Sequence, residues 1–336
     1  MEKKKINNII SVPLGATTYG ANQYNMMDEQ QGQTPSGGGP EQFRTGYVAI
    51  VGEPNVGKST LVNRLVGAKL SIVSKKPQTT RKSVLGIMTT DSAQMIFLDT
   101  PGVLTPHYLL QQKMLGYVET ALRDADVILL MIDVNSPDLE RLALTPLGAV
   151  RELGKPIIMV LNKVDSLPDR AIVLPMMEQF MNSGAFAEVL PISALHGDNA
   201  EVLLEMIGKR LPPGDPLYDP ELISQQPQRF FVSELIREQI LRLYDQEIPY
   251  SVEVSIVEFK ERPSPQKLYI HAEIIVERDT QKGIIIGKKG EALKRLGERA
   301  RRGIEDFMEQ EIYLELFVKV RNDWRQSENR LRGFGY

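Results

Sequence analysis

The sequence GEPNVGKS, residues 52–59, has the residue types and spacing of a phosphate-binding loop. The apolar run YVAIV (47–51) precedes it, and the helix-like segment KSTLVNRLVG follows it and ends at Gly67. A strand, a loop of the form G-x-x-x-x-G-K-S and a helix in this order predict a P-loop, because the glycines let backbone N–H groups converge on phosphates. The alternative, a plain glycine turn before a helix, is disfavoured by this context.

Two side chains of the loop are expected to carry its chemistry. Lys58 would reach the β- and γ-phosphates of a nucleotide, and the Ser59 hydroxyl would ligate Mg²⁺. The predicted nucleotide contacts in this part of the chain are Gly52, Glu53, Pro54, Asn55, Val56, Gly57, Lys58, Ser59 and Thr60.

Further apolar runs follow the loop and alternate with helix-like stretches. They are SVLGIMT (83–89), MIFLD (95–99), VILLMID (127–133), PIIMVLNK (156–163) and VLPIS (189–193). Near-continuous apolar strands separated by helices are typical of a parallel sheet that is covered on both faces. The sequence therefore predicts an α/β domain with a mostly parallel sheet and helices on both faces, with SVLGIMT at an edge.

The segment NKVD, residues 162–165, ends a predicted strand and indicates which base is bound. Asp165 can accept hydrogen bonds from N1–H and the exocyclic amine of guanine, whereas adenine offers neither donor there and would leave the carboxylate unpaired. Asn162 and Lys163 are expected to position the base. The segment SAL ends another strand, and its residues Ser193, Ala194 and Leu195 would bring backbone N–H groups to the guanine oxygen.

The segment DTPG, residues 99–102, follows the apolar strand MIFLD. Asp99 is expected to hold Mg²⁺ through water, and the Gly102 N–H to touch the γ-phosphate, with Thr100 and Pro101 as neighbouring contacts. A bare D-x-x-G is expected about once by chance in a chain of this length, so its position at a strand end gives it weight.

The overall composition limits the other possibilities. A chain of 336 residues suggests two or more domains, and the net charge of −3 gives no global attraction to nucleic acid or membrane. The absence of cysteine excludes disulfides, thiolate zinc sites and cysteine nucleophiles. The longest apolar runs are too short to span a membrane.

Composition also divides the chain. Residues 1–43 are rich in Gly, Gln, Asn, Ser and Pro, which predicts a disordered N-terminal tail. The proline-rich stretch ending at residue 228 is interpreted as a linker. The predicted division is a tail at 1–43, the nucleotide-binding domain at 44–212, a linker at 213–228, a second domain at 229–326 and a C-terminal tail at 327–336.

The second domain follows a different pattern. Its predicted order is a helix (229–244), two strands (250–259 and 267–276), a glycine loop flanked by helices, and a last strand (312–320). This order predicts a small α+β domain. Its loop, within GIIIGKKGEAL (283–293), lacks a Ser or Thr after the lysine and therefore does not resemble a second P-loop.

The GKKG loop is better suited to grip a nucleic acid backbone. Glycines allow sugar-phosphate groups to approach the main chain, and a following helix N-terminus favours anions. Residues 282–302 hold eight basic residues against two acidic ones, which adds a local attraction. A solvated basic helix face is the alternative. The predicted RNA contacts are Ile286, Gly287, Lys288, Lys289, Gly290, Lys294, Arg295, Arg299 and Arg302.

These motifs together resemble those of a known family. The P-loop, DTPG, NKVD and SAL in this order resemble a GTPase, and GKKG between helices resembles a bacterial-type KH domain, whose G-x-x-G loop clamps single-stranded nucleic acid. A GTPase domain followed directly by a KH domain resembles the Era family of bacterial ribosome-assembly GTPases, over residues 46–325. The fold class implied is an α/β P-loop GTPase domain plus a C-terminal α+β KH domain.

The resemblance implies further roles. QTTR (78–81) is similar to a first switch, in which Thr80, or alternatively Thr79, closes over Mg²⁺ and the γ-phosphate. Mg²⁺ would then be held by Ser59, Thr80 and Asp99, and catalysis would rest on Lys58, Thr80 and Gly102.

Two further positions bear on hydrolysis. Val103 stands where Ras-like members have a glutamine that orients water, so slow intrinsic hydrolysis is expected. Asn55 is similar to an asparagine that some relatives use to hold K⁺, which makes K⁺ a candidate cofactor beside GTP or GDP and Mg²⁺.

The function implied is GTP hydrolysis coupled to binding of the 3′ end of small-subunit ribosomal RNA during maturation of the small ribosomal subunit. We expect a cytoplasmic monomer that does not bind DNA, with peripheral association with the inner face of the cell membrane as an open possibility. The alternatives are a signalling or membrane-associated GTPase whose C-terminal domain binds protein or lipid, and an RNA-binding module with negligible GTP turnover.

Overall fold

The computed structural model describes residues 42–136, 154–263 and 265–336. The N-terminal tail predicted at residues 1–43 lies outside the described residues except for its last two.

The first domain is built on a six-stranded sheet with the strand order β2-β3-β1-β4-β5-β6. β2 pairs with β3 in antiparallel fashion, and the other neighbours are parallel, so the predicted edge position of SVLGIMT is confirmed. The strands are β1 Arg44–Val51, β2 Val84–Thr89, β3 Ala93–Asp99, β4 Val127–Asp133, β5 Ile157–Asn162 and β6 Glu188–Ile192.

Helices cover both faces of this sheet, as the continuous apolar runs of the strands predict. The described helices of this domain are α1 Lys58–Val66, α2 Leu109–Asp124, α3 Val173–Asn182 and α4 Ala200–Gly208. Alternate residues of the central strands enter two separate apolar cores: Leu129 lies in one and Ile128 in the other. Each central strand is therefore buried on both sides.

The sheet brings the predicted motifs to one edge. The P-loop follows β1, DTPG follows β3, NKVD follows β5, and SAL follows β6. Because these four strands are parallel, the motifs meet at their carboxyl ends, where open α/β sheets bind ligands.

The second domain has a three-stranded sheet of order β7-β8-β9, in which β7 and β8 are antiparallel and β8 and β9 parallel. Its elements are α5 Gln228–Leu243, α6 Ile248–Ser251, β7 Glu253–Lys260, β8 Leu268–Val276, α7 Asp279–Ile286, α8 Glu291–Met308 and β9 Ile312–Val320. The predicted start of the first strand at residue 250 is wrong, because Tyr250 and Ser251 belong to the helical turn α6.

The proline-rich connection lies against the first domain. The Ile87 N–H donates to the Ile223 carbonyl at 2.8 Å, and the Ser224 hydroxyl donates to the Leu85 carbonyl at 2.6 Å. These bonds cover the outer edge of β2, whose backbone groups would otherwise be exposed for pairing with another chain. The connection is thus anchored at the edge of the sheet.

Residues 327–336 are folded and do not form a free tail. They contain the helix α9, Glu328–Gly333, in which Leu331 is completely buried. Leu331 and Trp324 pack with Leu110 and Met114 of α2 in one apolar cluster. The end of the described chain therefore joins the second domain to the helix that follows DTPG.

Candidate functional site: a nucleotide pocket and an RNA-binding loop

The backbone of the P-loop runs too close to its neighbours for side chains at two of its positions. A Cβ atom at Gly52 would lie 2.2 Å from the Met131 carbonyl oxygen, and one at Gly57 would lie 2.3 Å from Nδ2 of Asn162. Gly57 also has a φ of 106°. The glycines are therefore required by packing against β4 and β5 as well as by the turn itself.

Lys58 is buried at the start of α1 and donates to the carbonyls of Gly52, at 3.0 Å, and Glu53, at 2.8 Å. Burial lowers the pKa of Lys58 to about 8, and nearby Asp99 opposes this shift. A desolvated ammonium held by two loop carbonyls is poised to exchange them for phosphate oxygens, which are stronger acceptors because they are charged.

Three oxygen-bearing side chains gather beside Lys58. The Ser59 and Thr80 hydroxyl oxygens lie 2.9 Å apart, and Asp99 is completely buried. Neither carboxylate oxygen of Asp99 makes a well-formed hydrogen bond in the described part of the chain. Burial raises the pKa of Asp99, and the neighbouring Ser59 and Ser71 hydroxyls and the Lys58 charge oppose this shift. A buried carboxylate next to hydroxyls fits Mg²⁺, a hard cation that prefers oxygen ligands.

The structure distinguishes between the two candidate switch threonines. Thr80 lies beside Ser59, whereas the Thr79 hydroxyl donates to the Lys76 carbonyl at 2.6 Å.

Asn162 links the two ends of the pocket. Its side-chain N–H donates to the Val56 carbonyl of the P-loop at 2.6 Å, and its oxygen accepts from the Ala194 N–H at 2.9 Å. Because both ends of its amide are occupied, Asn162 connects the P-loop to SAL and holds the base site in shape.

The two other polar residues of NKVD stand at the open side. The Lys163 ammonium donates to Oδ2 of Asp133 at 2.6 Å, which fixes the lysine side chain at the mouth of the cavity that it lines. The Asp165 carboxylate lies 3.7 Å from Nε2 of His196 and is about a fifth exposed. It is therefore accessible to a base.

The cavity formed by these segments measures about 320 Å³. The predicted contacts that line it are Pro54, Asn55, Gly57, Lys58, Ser59, Thr60, Thr80, Gly102, Asn162, Lys163, Asp165, Ala194 and Leu195. The predicted contacts that do not line it, all of them described residues, are Gly52, Glu53, Val56, Asp99, Thr100, Pro101 and Ser193.

Some lining residues were not found from the sequence. Ile72, Val73, Ser74 and Lys75 border the cavity, as does Gln78. The first four carry no motif of their own, and their only signal is that they precede QTTR in the chain, of which Gln78 is the first residue.

The segment DTPG is fastened to the P-loop. A Cβ at Gly102 would lie 2.6 Å from the backbone nitrogen of Pro54, and the Val103 N–H donates to the Gly52 carbonyl at 3.0 Å. The Val103 side chain packs against the apolar core of the sheet. The position that follows DTPG is thus used for packing.

Asn55, the candidate K⁺ ligand, has a left-handed backbone with a φ of 66°. Its side-chain N–H donates to the Lys75 carbonyl at 2.9 Å. The P-loop and the segment before QTTR therefore meet at Asn55.

The GKKG loop joins α7 to α8 on the surface of the second domain. Gly287 has a φ of 71°, and a Cβ there would lie 2.6 Å from the Cβ of Ala292. Lys288 and Lys289 are exposed, while Ile285 before them is completely buried and anchors the loop. The predicted contacts Lys294, Arg295, Arg299 and Arg302 are also exposed, and Ile286, Gly287 and Gly290 are half-buried.

A shallow groove of about 430 Å³ lies between α8 and β9. Gly290 and Lys294 stand on its rim, and Leu314 and Leu316 of β9 border it from the sheet side. Its charged lining residues are Lys294, Arg301 and Glu298, so its rim is basic on balance. A basic rim with an apolar border suits a chain of unpaired bases, whose phosphates and bases need opposite environments. Arg301 also borders the groove, and it pairs with Glu305 at 2.9 Å.

A P-loop domain with a guanine-type base site, followed by a domain with a GxxG loop between helices, defines a GTPase fused to a KH domain. Family comparison agrees: residues 47–163 match the model described as "50S ribosome-binding GTPase", and residues 247–325 match a KH-domain model.

The curated relative GTPase Era of Geotalea daltonii is 42% identical over 296 residues, which cover 88% of this chain and 99% of the relative. The chain belongs to the Era family of GTPases.

Two solved structures agree with this assignment. One is Era in complex with MgGDPNP and nucleotides 1506–1542 of 16S ribosomal RNA, and the other is a variant of Aquifex aeolicus Era bound to GDP·AlF₄⁻. Each has a TM-score of 0.84 and 43% identity and covers 88% of this chain and 99% of the solved chain. In the part of the chain that the structure describes, no helix is both long and apolar enough to cross a membrane.

Proposed function

We propose that this GTPase binds the 3′ end of 16S ribosomal RNA through its KH domain and assists the maturation of the small ribosomal subunit. The observation that carries the proposal is the exposed GKKG loop beside a basic-rimmed groove, on the same chain as a guanine-type pocket. An Era structure that this chain matches over 88% of its length holds nucleotides 1506–1542 of that RNA.

The small ribosomal subunit is favoured over the large one as the partner, because the proposed RNA site lies in the KH domain and not in the GTPase domain. The family model whose description names the 50S subunit matches only residues 47–163, which contain the nucleotide pocket and no part of the KH domain. The proposed RNA site lies wholly within the KH match, at residues 247–325.

For the nucleotide, we assign roles to seven residues. Lys58 binds the β- and γ-phosphates, and the Gly102 N–H donates to the γ-phosphate as charge develops on it. Ser59 and Thr80, with Asp99 behind them, hold Mg²⁺, which neutralises phosphate charge when bound. Asp165 accepts from guanine, and the Asn162 link keeps its segment in register with the P-loop.

Intrinsic hydrolysis should be slow, because Val103 is packed in the core and has no polar group with which to orient water. Asn55, whose side-chain N–H donates to the Lys75 carbonyl, lies at the side of the P-loop and is the candidate K⁺ ligand. Replacing K⁺ by Na⁺ should therefore reduce the single-turnover hydrolysis rate. An unchanged rate would exclude K⁺ from the mechanism.

Crosslinking in cells followed by sequencing of the bound RNA tests the ribosomal assignment. Reads should concentrate at the 3′ end of the small-subunit RNA. The matched control is the variant Lys288→Asp/Lys289→Asp, in which these reads should fall while GDP binding is retained. Reads spread evenly over cellular RNA would remove the ribosomal assignment and leave the GTPase intact.

We place the protein in the cytoplasm, where its RNA partner is assembled. The exposed basic residues of α8 would also suit an anionic membrane surface. Flotation with anionic vesicles, with and without competing RNA oligonucleotide, shows whether the same residues mediate peripheral association.

A further inference from the structure

The segment that carries Thr80 lies between the two domains. We call residues 69–82 the switch segment. Its first end and its middle are held by the second domain, since Lys69 pairs with Glu238 at 2.6 Å and Lys76 pairs with Asp245 at 2.7 Å. Its other end is held by the C-terminal residues that follow this domain, since Lys82 donates to the Phe334 carbonyl at 2.5 Å.

The contacts become more deeply buried next to Thr80. Arg237 of α5 is 1% exposed, and its Nη2 donates to the Thr79 carbonyl at 2.5 Å. Its Nε donates to Glu234 one turn earlier at 2.8 Å, which fixes the direction of the guanidinium. The carbonyl immediately before Thr80 is therefore bonded to a side chain of the KH domain.

On the other side of Thr80, the arginine belongs to the switch segment and the carbonyls that accept from it belong to the KH domain. Arg81 belongs to the switch segment, is 2% exposed and points into the KH domain. It donates to the carbonyls of Pro249 at 2.9 Å and Val252 at 2.5 Å, at the end of α6. Its guanidinium also lies 5.9 Å from the centre of the Trp324 ring.

We propose that Arg237 and Arg81 are positioning residues for GTP hydrolysis, which hold the switch segment so that Thr80 stays beside Ser59. The proposal rests on the role that we assign to Thr80 in holding Mg²⁺. Neither arginine lines the nucleotide cavity among the described residues, so both act through the backbone of the segment.

The physical argument concerns what happens to these charges when the segment moves. A buried guanidinium loses its hydration, so each of its donors that loses a partner costs free energy. Nη1 of Arg237 and Nε of Arg81 already lack partners among the described residues, so the remaining bonds hold these charges in place. If Thr80 swings away from Ser59, the Thr79 carbonyl leaves Arg237, and Arg81 leaves the carbonyls of α6. The closed state of the switch segment, in which Thr80 lies beside Ser59, is therefore stabilised by its contacts with the KH domain. We call this contact the docked arrangement, and it acts in addition to any ligand in the pocket.

Linkage makes the coupling reciprocal. A ligand that needs Thr80 closed, such as a GTP analogue with Mg²⁺, stabilises the docked arrangement by as much as docking stabilises binding of that ligand. GDP lacks the γ-phosphate over which Thr80 closes and should be indifferent to docking. The two arginines thus give the KH domain a preference for the triphosphate state.

Arg237→Ala tests this inference. We expect the Kd of a non-hydrolysable GTP analogue to rise about tenfold, while the Kd of GDP stays within about twofold. The kcat for GTP should fall by a similar factor, and Arg237→Lys should recover part of both effects. An equal loss for GDP and the analogue, or no loss for either, would overturn the proposal.

Two controls separate the possible failures. Arg229→Ala removes a guanidinium from the same helix, where it stacks on Phe259 within the KH domain, and should leave both Kd values unchanged. Where Arg237→Ala fails to fold, Lys76→Ala decides, because it removes a partly exposed contact between the segment and the KH domain. Lys76→Ala should weaken binding of the GTP analogue about threefold without affecting binding of GDP. An unchanged ratio of the two Kd values would overturn the proposal.

Thr80→Ala distinguishes this inference from the function on which it rests. If Thr80→Ala weakens the analogue relative to GDP and Arg237→Ala does not, only the positioning role is lost. If Thr80→Ala itself leaves the ratio of the Kd values for the analogue and GDP unchanged, the role assigned to Thr80 in the proposed function is wrong. The two arginines would then have no catalytic residue to position.

Discussion

Two loops in this chain combine glycine with lysine and lead into a helix, yet they are built in opposite ways. In the P-loop, Lys58 is buried and bonded to two carbonyls of its own loop. In the GKKG loop, Lys288 and Lys289 are exposed to solvent. The glycines serve close packing in both: Gly57 against Asn162 and Gly287 against Ala292.

The difference follows from what each loop has to recognise. A single nucleotide can be enclosed, so the P-loop can use a desolvated charge whose electrostatic interaction with phosphate is strong and directional. A polynucleotide passes through its site and cannot be enclosed. The GKKG loop therefore offers solvated charges, which attract any phosphate backbone and are screened by salt.

The largest expected effect lies at the base end of the enclosed site. Asp165→Asn removes a charged acceptor of two guanine hydrogen bonds and should weaken GDP binding by about three orders of magnitude. Titration with a fluorescent GDP derivative measures this loss.

A matched nucleotide serves as the control for that variant. Xanthosine diphosphate carries a carbonyl where guanine carries its amine, so an asparagine amide can donate to it. The variant should bind it more tightly than GDP. Equal binding of GDP by Asp165→Asn and the unaltered protein would place the base elsewhere.

Reversing charge in the open loop should have a smaller and salt-dependent effect. Lys288→Asp/Lys289→Asp should weaken binding of an oligoribonucleotide from the 16S 3′ end about a hundredfold at about 0.1 M salt. The slope of log K against log salt should fall by about two, because two phosphate contacts are lost.

The same variant sharpens the contrast between the two loops. Its GDP affinity should be unchanged, since these lysines lie outside the nucleotide cavity. RNA affinity equal to that of the unaltered protein would show that the basic face of α8, and not the loop, binds the backbone.

The smallest expected effect comes from titration of the enclosed lysine. The pKa of Lys58 is lowered to about 8 without a nucleotide, and bound phosphates would raise it. Above about pH 8 binding must therefore take up a proton, and GDP affinity should fall by up to tenfold per pH unit.

Calorimetry between about pH 7 and pH 9 checks this prediction. Residual GDP binding by Lys58→Met should lack the break at about pH 8. A flat profile for the unaltered protein would show that Lys58 keeps its proton through this range, in contradiction to the cost of its burial.

The sequence was sufficient to predict the parts whose signal is local. The P-loop, NKVD and the order of elements around GKKG each lie in a short continuous stretch, and apolar periodicity places them at the ends of strands or helices. The start of β7 was missed because Tyr250 and Ser251, whose residue types suit a strand, follow Pro249 in a helical turn.

Other features depended on contacts between distant parts of the chain. Arg237 and Glu238 have the residue types of a solvated helix face, but the first domain covers them, and each is 1% exposed. The two bonds of Asn162 join three motifs that are far apart in sequence. Residues 327–336 have a composition that suits a tail, and they are ordered by apolar surface from α2 together with Ile275 and Trp324.

The ligand chemistry could be predicted from the sequence, because the residue types expected to hold phosphate, guanine and an RNA backbone lie in contiguous motifs. Only the folded chain shows that Thr80 rather than Thr79 lies beside Ser59 at the proposed magnesium site, and that the KH domain contacts the segment carrying it. The bond from Arg237 to the Thr79 carbonyl spans 158 residues. No local pattern specifies such a pair, because its energy arises only when both domains bury the same charge.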